Sequence, residues 1–192
     1  MEIGDRFKAA DRAAWRAWLV DHHKQANDIW LISDKRDEVP TVRYLDAVEE
    51  ALCFGWVDSI SKRVSEFESA QRFSPRRPRS NWTELNKARA RRLIRLGLMT
   101  ESGRQFLPDL DAPFAVASDI KQALRDRNAW DFYAALPELY RRVRVGYIEE
   151  MRKRPAEFEM RLNNFLEKTA AGKLYGNWND GGRLNDDPDQ PG

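Results

Sequence analysis

Across residues 50–103 the hydrophobic rhythm changes twice, and this limits what the chain can become. Up to Cys53 the apolar residues recur at helical spacing, and Gly55 stands where a helix-ending glycine belongs. Residues 56–64 and 67–73 then lose that spacing. In the second segment Phe67, Ser69, Gln71 and Phe73 share one side, with Glu66, Glu68 and Arg72 mostly on the other. That alternation reads as a half-buried strand, and an antiparallel pair is the simplest arrangement. Pro75 and Pro78 stop any regular element. A helix follows, with Asn81 and Glu84 at capping-box spacing and Leu85, Ala88, Leu93 and Leu96 as its apolar stripe. Lys87, Arg89, Arg91 and Arg95 fall outside the stripe, and Gly97-Leu98 reads as a glycine stop with a trailing hydrophobic contact.

Ahead of this block, residues 9–26 read as a helix with Trp15, Trp18, Leu19 and His22 on one face. Residues 29–32 form a short apolar run expected as a buried strand. Thr41 is placed to cap a second helix, with Tyr44, Leu45, Val48, Ala51 and Leu52 inward. Behind the block, residues 100–106 begin a short helical turn, and LPDLDAPFAVAS, with Pro108 and Pro113, reads as a linker. Everything beyond looks helical. Ser118 and Asn128 are placed to cap two short helices, and Pro137 fits the first turn of a long one carrying Leu139, Val143, Tyr147 and Met151 at every fourth position. Pro155 opens the last helix, with Phe158, Leu162, Phe165 and Leu166 inward and Gly172 closing it. The expected fold is α+β. A small antiparallel sheet with helices occupies 1–107, a Pro-rich linker 108–118, a three- to four-helix domain 119–175 and a disordered polar tail 176–192.

The net charge of +2 is too small to name a partner, but its distribution is uneven. Residues 1–50 hold eight basic and eleven acidic side chains; residues 72–95 hold nine basic ones against the single acid Glu84. Such a local excess attracts phosphates or carboxylates, although a solvated helix face is the other meaning it can have. The lone Cys53 excludes an intramolecular disulfide and a Cys-rich zinc site. No apolar run reaches the ~18 residues of a membrane span, and the charged N-terminal segment lacks the apolar core of a signal peptide. A cytoplasmic location is the expectation.

Several stretches resemble the YdeI/OmpD-associated family, often labelled bacteriocin-protection proteins. FGWVDS, FSPRR, SNW, the downstream Asn86 and LGLMTESG carry the resemblance through the middle. WRAWLVDHH and DIWLISDK are similar to the family's opening, and DIKQAL, LYRRVRVGYIEEMRKR and RLNNFLE to its helical tail domain. The resemblance covers about residues 7–172, in order. Ser65-Glu66 stands where the family usually has an acidic pair, and KRPAEFEMR replaces a Lys-rich stretch ending in Thr-Arg. The resemblance implies an α+β front, a helical back and a role in envelope or antimicrobial-peptide stress, with no established chemistry.

The candidate binding residues lie in the same block. Trp56, Asp58 and Ser59 follow the helix-ending glycine, where side chains reach the mouth of a sheet. Arg76, Arg77 and Ser80 precede a helix start, and Arg forks beside free amide groups suit a phosphate or carboxylate. Trp82 and Asn86 complete the set. The structural alternative is that Trp56 is core, that Asp58 pairs with Arg76 or Arg77, and that the arginines brace a proline-stiffened connector. The favoured reading is a non-catalytic protein binding an anionic small molecule or a protein partner in this cleft. One alternative is an enzyme using Asp58 as acid/base on a small anionic substrate. The other is a nucleic-acid binder using the basic helix over residues 86–95, with Trp82 or Phe73 stacking. Cys53 reads as core, and Glu49-Glu50 and Glu149-Glu150 as solvated pairs. His22 and His23 are adjacent and splayed, and no Gly-rich phosphate loop, GxSxG or HExxH is present. No catalytic residue, metal or cofactor is expected.

Overall fold

The computed structural model describes residues 2–185. The described elements run β1 (Arg6–Lys8), α1 (Arg12–His22), β2 (Ile29–Asp34), α2 (Tyr44–Cys53), β3 (Trp56–Arg63), β4 (Glu68–Pro75), α3 (Glu84–Arg95) and α4 (Glu101–Arg104). Then come α5 (Ser118–Asp126), α6 (Trp130–Ala134), α7 (Glu138–Glu149) and α8 (Pro155–Ala170). The fold is α+β. It divides into two compact units, one of residues 1–81 and 93–108, the other of residues 82–92 and 109–192. The division falls three times along the chain, once inside α3.

In the first unit four strands lie in the order β1-β2-β4-β3. The expected hairpin is present: β3 and β4 pair antiparallel, and β4 pairs antiparallel with β2. The sheet is mixed, because the short β1 joins β2 in parallel. Three residues, RFK, are too few to show an alternation, so β1 was not legible. Register puts Phe7, Leu31, Phe73, Asp58 and Trp56 on one face. There Trp15 of α1 stacks on Trp18 at 5.2 Å and meets Phe73 at 5.4 Å, while Trp56 meets Trp18 edge-on at 5.8 Å. The opposite face carries a smaller cluster of Trp30, Ile32 and Ala70.

Helix α2 begins at Tyr44 rather than at a Thr41 cap. Val42 is buried and donates its N–H to the Ala9 carbonyl, so the chain there stays extended. Its N-cap, Arg43, makes no side-chain capping bond, and Tyr44 faces solvent at 54% exposure rather than inward. Glu49 and Glu50 are not solvated either. Glu50 accepts Arg12 Nε and Arg16 Nη1 at 2.5 Å each, and Glu49 accepts Arg12 Nη1 at 2.8 Å. The helix ends at Gly55 with φ +75°, as expected. A Cβ there would stand 2.6 Å from the Phe106 ring. Helix α4 packs on this end, with Thr100 giving both N–H and Oγ1–H to the Cys53 carbonyl.

The second unit gathers the start of α3 with α5–α8. Thr83, not Asn81, caps α3, accepting the Asn86 N–H at 3.1 Å; Asn81 belongs to the first unit, where its carbonyl accepts from Arg76, and the helix starts later. Glu84 turns to Lys87 and Arg142 instead of reaching back. Asn128, with φ 53°, closes α5 rather than opening α6, and Ser118 is the first residue of α5 rather than its cap. Pro155 does open α8, and Gly172, at φ +66°, closes it. Ile120, Leu124, Tyr133, Ile148 and Phe165 form the core, with Tyr133 edge-on to Phe165. Arg89 is buried, not outside the stripe, and forms a fork with Asp180 at 2.6 and 2.8 Å. Asp180 and Leu184, assigned to the polar tail, are both buried; residues 186–192 lie outside the described residues.

Candidate functional site

The turn at Gly55 delivers Trp56 as the first residue of β3, against the end of α1. Its indole Nε1–H donates to the His23 carbonyl at 3.1 Å. Trp56 is only 1% exposed, yet it helps wall a cavity of about 450 Å³. Phe54, Phe106 and Pro75 add apolar wall, and Lys24, Glu101 and Gln105 bring polar groups. His23 and Ser102 also line it, and they are bonded to each other. His23 Nδ1 lies 2.7 Å from the Leu19 carbonyl, which only an N–H can satisfy. In a neutral ring Nε2 is then an acceptor, facing Ser102 Oγ at 2.9 Å. No sequence signal joins these residues, 79 positions apart. Their meeting depends on α4 docking at the end of α2.

Asp58 sits two residues past Trp56 on the same sheet face but does not line the cavity. It accepts the Tyr44 hydroxyl at 2.8 Å. Its charge also acts on Arg76, which follows β4 and is held by a backbone bond to the Gly55 carbonyl. The Arg76 side chain folds back into its own loop at 4% exposure, with Nη1 donating to Ser80 Oγ and the Asn81 carbonyl at 3.4 Å each. Burial pulls its pKa down to about 10, outweighing the Asp58 charge that favours the cation. Asp58, Arg76 and Ser80 are thus brought together, around the loop and apart from the cavity.

Arg77 is exposed in the same loop, where the Ser80 N–H closes a turn onto its carbonyl and Arg79 takes φ 60°. Ser59 is exposed, its hydroxyl 3.4 Å from the Arg72 carbonyl. Trp82 and Asn86 belong to the second unit. Asn86 Oδ1 is taken by Arg89 Nη1 at 2.8 Å. The basic helix keeps less of its charge for a partner than its composition offered, since Arg89 is committed to Asp180 and Arg91 donates to the Leu110 carbonyl. Cys53 is fully buried, and burial pushes its thiol up to about 12. Among the described residues no cluster of His, Cys, Asp and Glu is placed to hold a metal, and no helix is long and apolar enough to cross a membrane.

Residues 7–106 match a family model described as a domain of unknown function (DUF8412). Residues 113–172 match a second, described as Bacteriocin-protection, YdeI or OmpD-Associated. No curated protein and no solved structure matches the chain.

Proposed function

The chain belongs to the family defined by that domain of unknown function and carries a Bacteriocin-protection, YdeI or OmpD-Associated domain behind it, and we propose that it serves bacteriocin protection as a binding protein rather than an enzyme. Its ligand is a small molecule with an apolar body and an anionic group. The observation that carries this reading is the cavity beside Trp56, whose wall at Pro75 leads directly into the Arg76-Arg77 loop. Phe54, Trp56 and Phe106 supply apolar surface for the body. Lys24 in the cavity and Arg77 in the loop supply exposed cations. Asp58 and Arg76 act beneath them, fixing the loop's shape, while Ser80 closes its turn. The non-catalytic role is supported by Asp58, which accepts Tyr44 and stays outside the cavity. A cytoplasmic setting suits a lone, reduced, buried cysteine.

Calorimetric titration with phenyl phosphate and with phenol tests this. Phenyl phosphate should bind, weaken with added salt, and lose about tenfold in affinity in a Lys24→Ala/Arg77→Ala variant. Equal binding of phenol sinks the anionic half of the reading, and no binding of either sinks the whole.

A second reading, an enzyme acting on a small anionic substrate in the same cavity, is favoured by the His23–Ser102 pair. A base oriented through its far nitrogen and bonded to a hydroxyl is the arrangement that activates a nucleophile. A p-nitrophenyl ester should then release nitrophenol in a Ser102-dependent burst; a rate unchanged by Ser102→Ala removes this reading.

A further inference from the structure

The helical unit holds a cavity of its own, about 290 Å³, beside the first turn of α3 and the face of α7 that carries Val143 and Tyr147. Leu85, Val143 and Tyr147 form its apolar wall, and Glu84, Arg144 and Glu150 are its charged residues. Two of these are committed. Glu84 accepts Lys87 at 2.6 Å and Arg142 at 2.8 Å. Arg144 donates to the Asn177 carbonyl at 2.9 Å, and its guanidinium lies 5.1 Å from the Tyr175 ring and 5.9 Å from that of Tyr140.

Glu150 differs. Its carboxylate accepts no hydrogen bond from the described residues. The cation facing it, Arg161 Nη1, stands 3.7 Å away, beyond hydrogen-bond reach, and donates instead to the Tyr147 carbonyl. The Arg161 guanidinium also lies over the Tyr147 ring, 3.5 Å from its centre. Burial pushes the Glu150 carboxyl above the ordinary range, with Arg161 only opposing the rise. A half-buried carboxylate without a donor, in a mostly apolar hollow, favours an arriving cation.

We propose that this cavity binds a small organic amine, a primary ammonium on a short apolar body. The ammonium brings three donors to Glu150, supplying the hydrogen bonds that the carboxylate lacks. The body packs against Leu85, Val143 and Tyr147. The volume sits near the lower end of ligand pockets, about 300–1,000 Å³, which limits the body to roughly a phenyl ring or a branched alkyl chain. An anion is disfavoured, because Glu150 repels it and the Arg144 guanidinium already donates to Asn177 and lies against two tyrosine rings, leaving only its buried Nε without an acceptor among the described residues.

The test is calorimetric titration of the whole chain with 2-phenylethylamine, 2-phenylethanol and 3-phenylpropionate, three probes alike in shape and different in charge. The amine should bind about tenfold or more tightly than the other two. Glu150→Gln should cost the amine about tenfold, leave the alcohol unchanged and keep the thermal midpoint at or above that of the parent. Glu150→Asp, which keeps the charge but withdraws it, should fall between. Carbon-13 NMR of the Glu150 carboxyl should show its titration moving to lower pH when the amine is bound. Absence of amine binding at millimolar concentration, equal binding of the three probes, tighter binding of 3-phenylpropionate, or amine affinity untouched by Glu150→Gln would each overturn the proposal.

Discussion

Two glycines separate the cost of space from the cost of conformation. Gly103 lies within α4, where a Cβ would stand 2.3 Å from the Cys53 carbonyl oxygen and 2.7 Å from Met99 Sδ. The carbonyl is backbone and cannot swing aside, so Gly103→Ala should cost about 2–3 kcal/mol. Gly97 has φ +68° and open space around it. Gly97→Ala then carries only the left-handed penalty of about 1–2 kcal/mol. Thermal unfolding should rank the two in that order, at roughly 2–4 °C per kcal/mol for a chain of this size. A smaller loss at Gly103 would mean that α4 does not pack on Cys53 as described. Gly97 was legible, because a helix stop is local chemistry. Gly103 was not, since its reason is a carbonyl 50 residues earlier.

Cys53 gives a residue-scale prediction with a definite sign. Its thiol is raised by burial from 9.0 to about 12, with the Glu50 charge adding to the shift. Below pH 9 the thiol is neutral folded and unfolded, so the stability it contributes is complete. Above that the unfolded thiol releases its proton while the buried one keeps it, and stability falls progressively towards pH 12. Denaturant midpoints measured from pH 8 to 11 should drop less steeply in Cys53→Ala than in the parent. Parallel slopes would show that the thiol is more accessible than its burial implies.

At the scale of elements, the pairing of α1 with α2 shows what a single helix pattern hides. Arg12 and Arg16 are one turn apart on α1, and Asp46, Glu49 and Glu50 are three and four apart on α2. Each set is legible as a charged face. Only the two helices lying together turn Glu49 and Glu50, each 1% exposed, into acceptors for those arginines. Glu50 joins two cations that remain about a third exposed, which tempers the loss when it is removed. Glu50→Gln should cost about 1–3 kcal/mol. By contrast, Lys8→Ala, which removes the exposed partner of Glu68, should cost no more than about 1 kcal/mol. Equal losses in equilibrium unfolding would mean that burial adds nothing to the α1–α2 pairs. The candidate site divides in the same way. Trp56 after Gly55 and the Arg loop after Pro75 are local signals, whereas the His23–Ser102 contact exists only once three helices are in place.

For the whole molecule the sharpest departure is the stretch after Trp178. Its composition of Gly, Asn, Asp and Pro predicts no structure, because it has little apolar surface to set against the entropy of ordering. Two residues escape that average. Asp180 makes a two-bond fork with the buried Arg89, and Leu184 packs with Ala88, Leu139 and Val143. Composition cannot register this, since one carboxylate facing one buried guanidinium outweighs several polar neighbours. A truncation after residue 175, at the boundary that the sequence recommends, should therefore not be neutral. It takes away the fork of Arg89 and uncovers part of the helical unit's core. Losing the partner of a buried charge alone costs about 3–5 kcal/mol. Asp180→Ala in the full chain should reproduce most of that loss, and Asp180→Glu less of it. The truncated chain should unfold at least as early as Asp180→Ala, with greater susceptibility to proteolysis within residues 109–175. If truncation leaves the thermal midpoint where it was, the fork contributes nothing to stability, and residues 176–185 are as dispensable as their composition suggests.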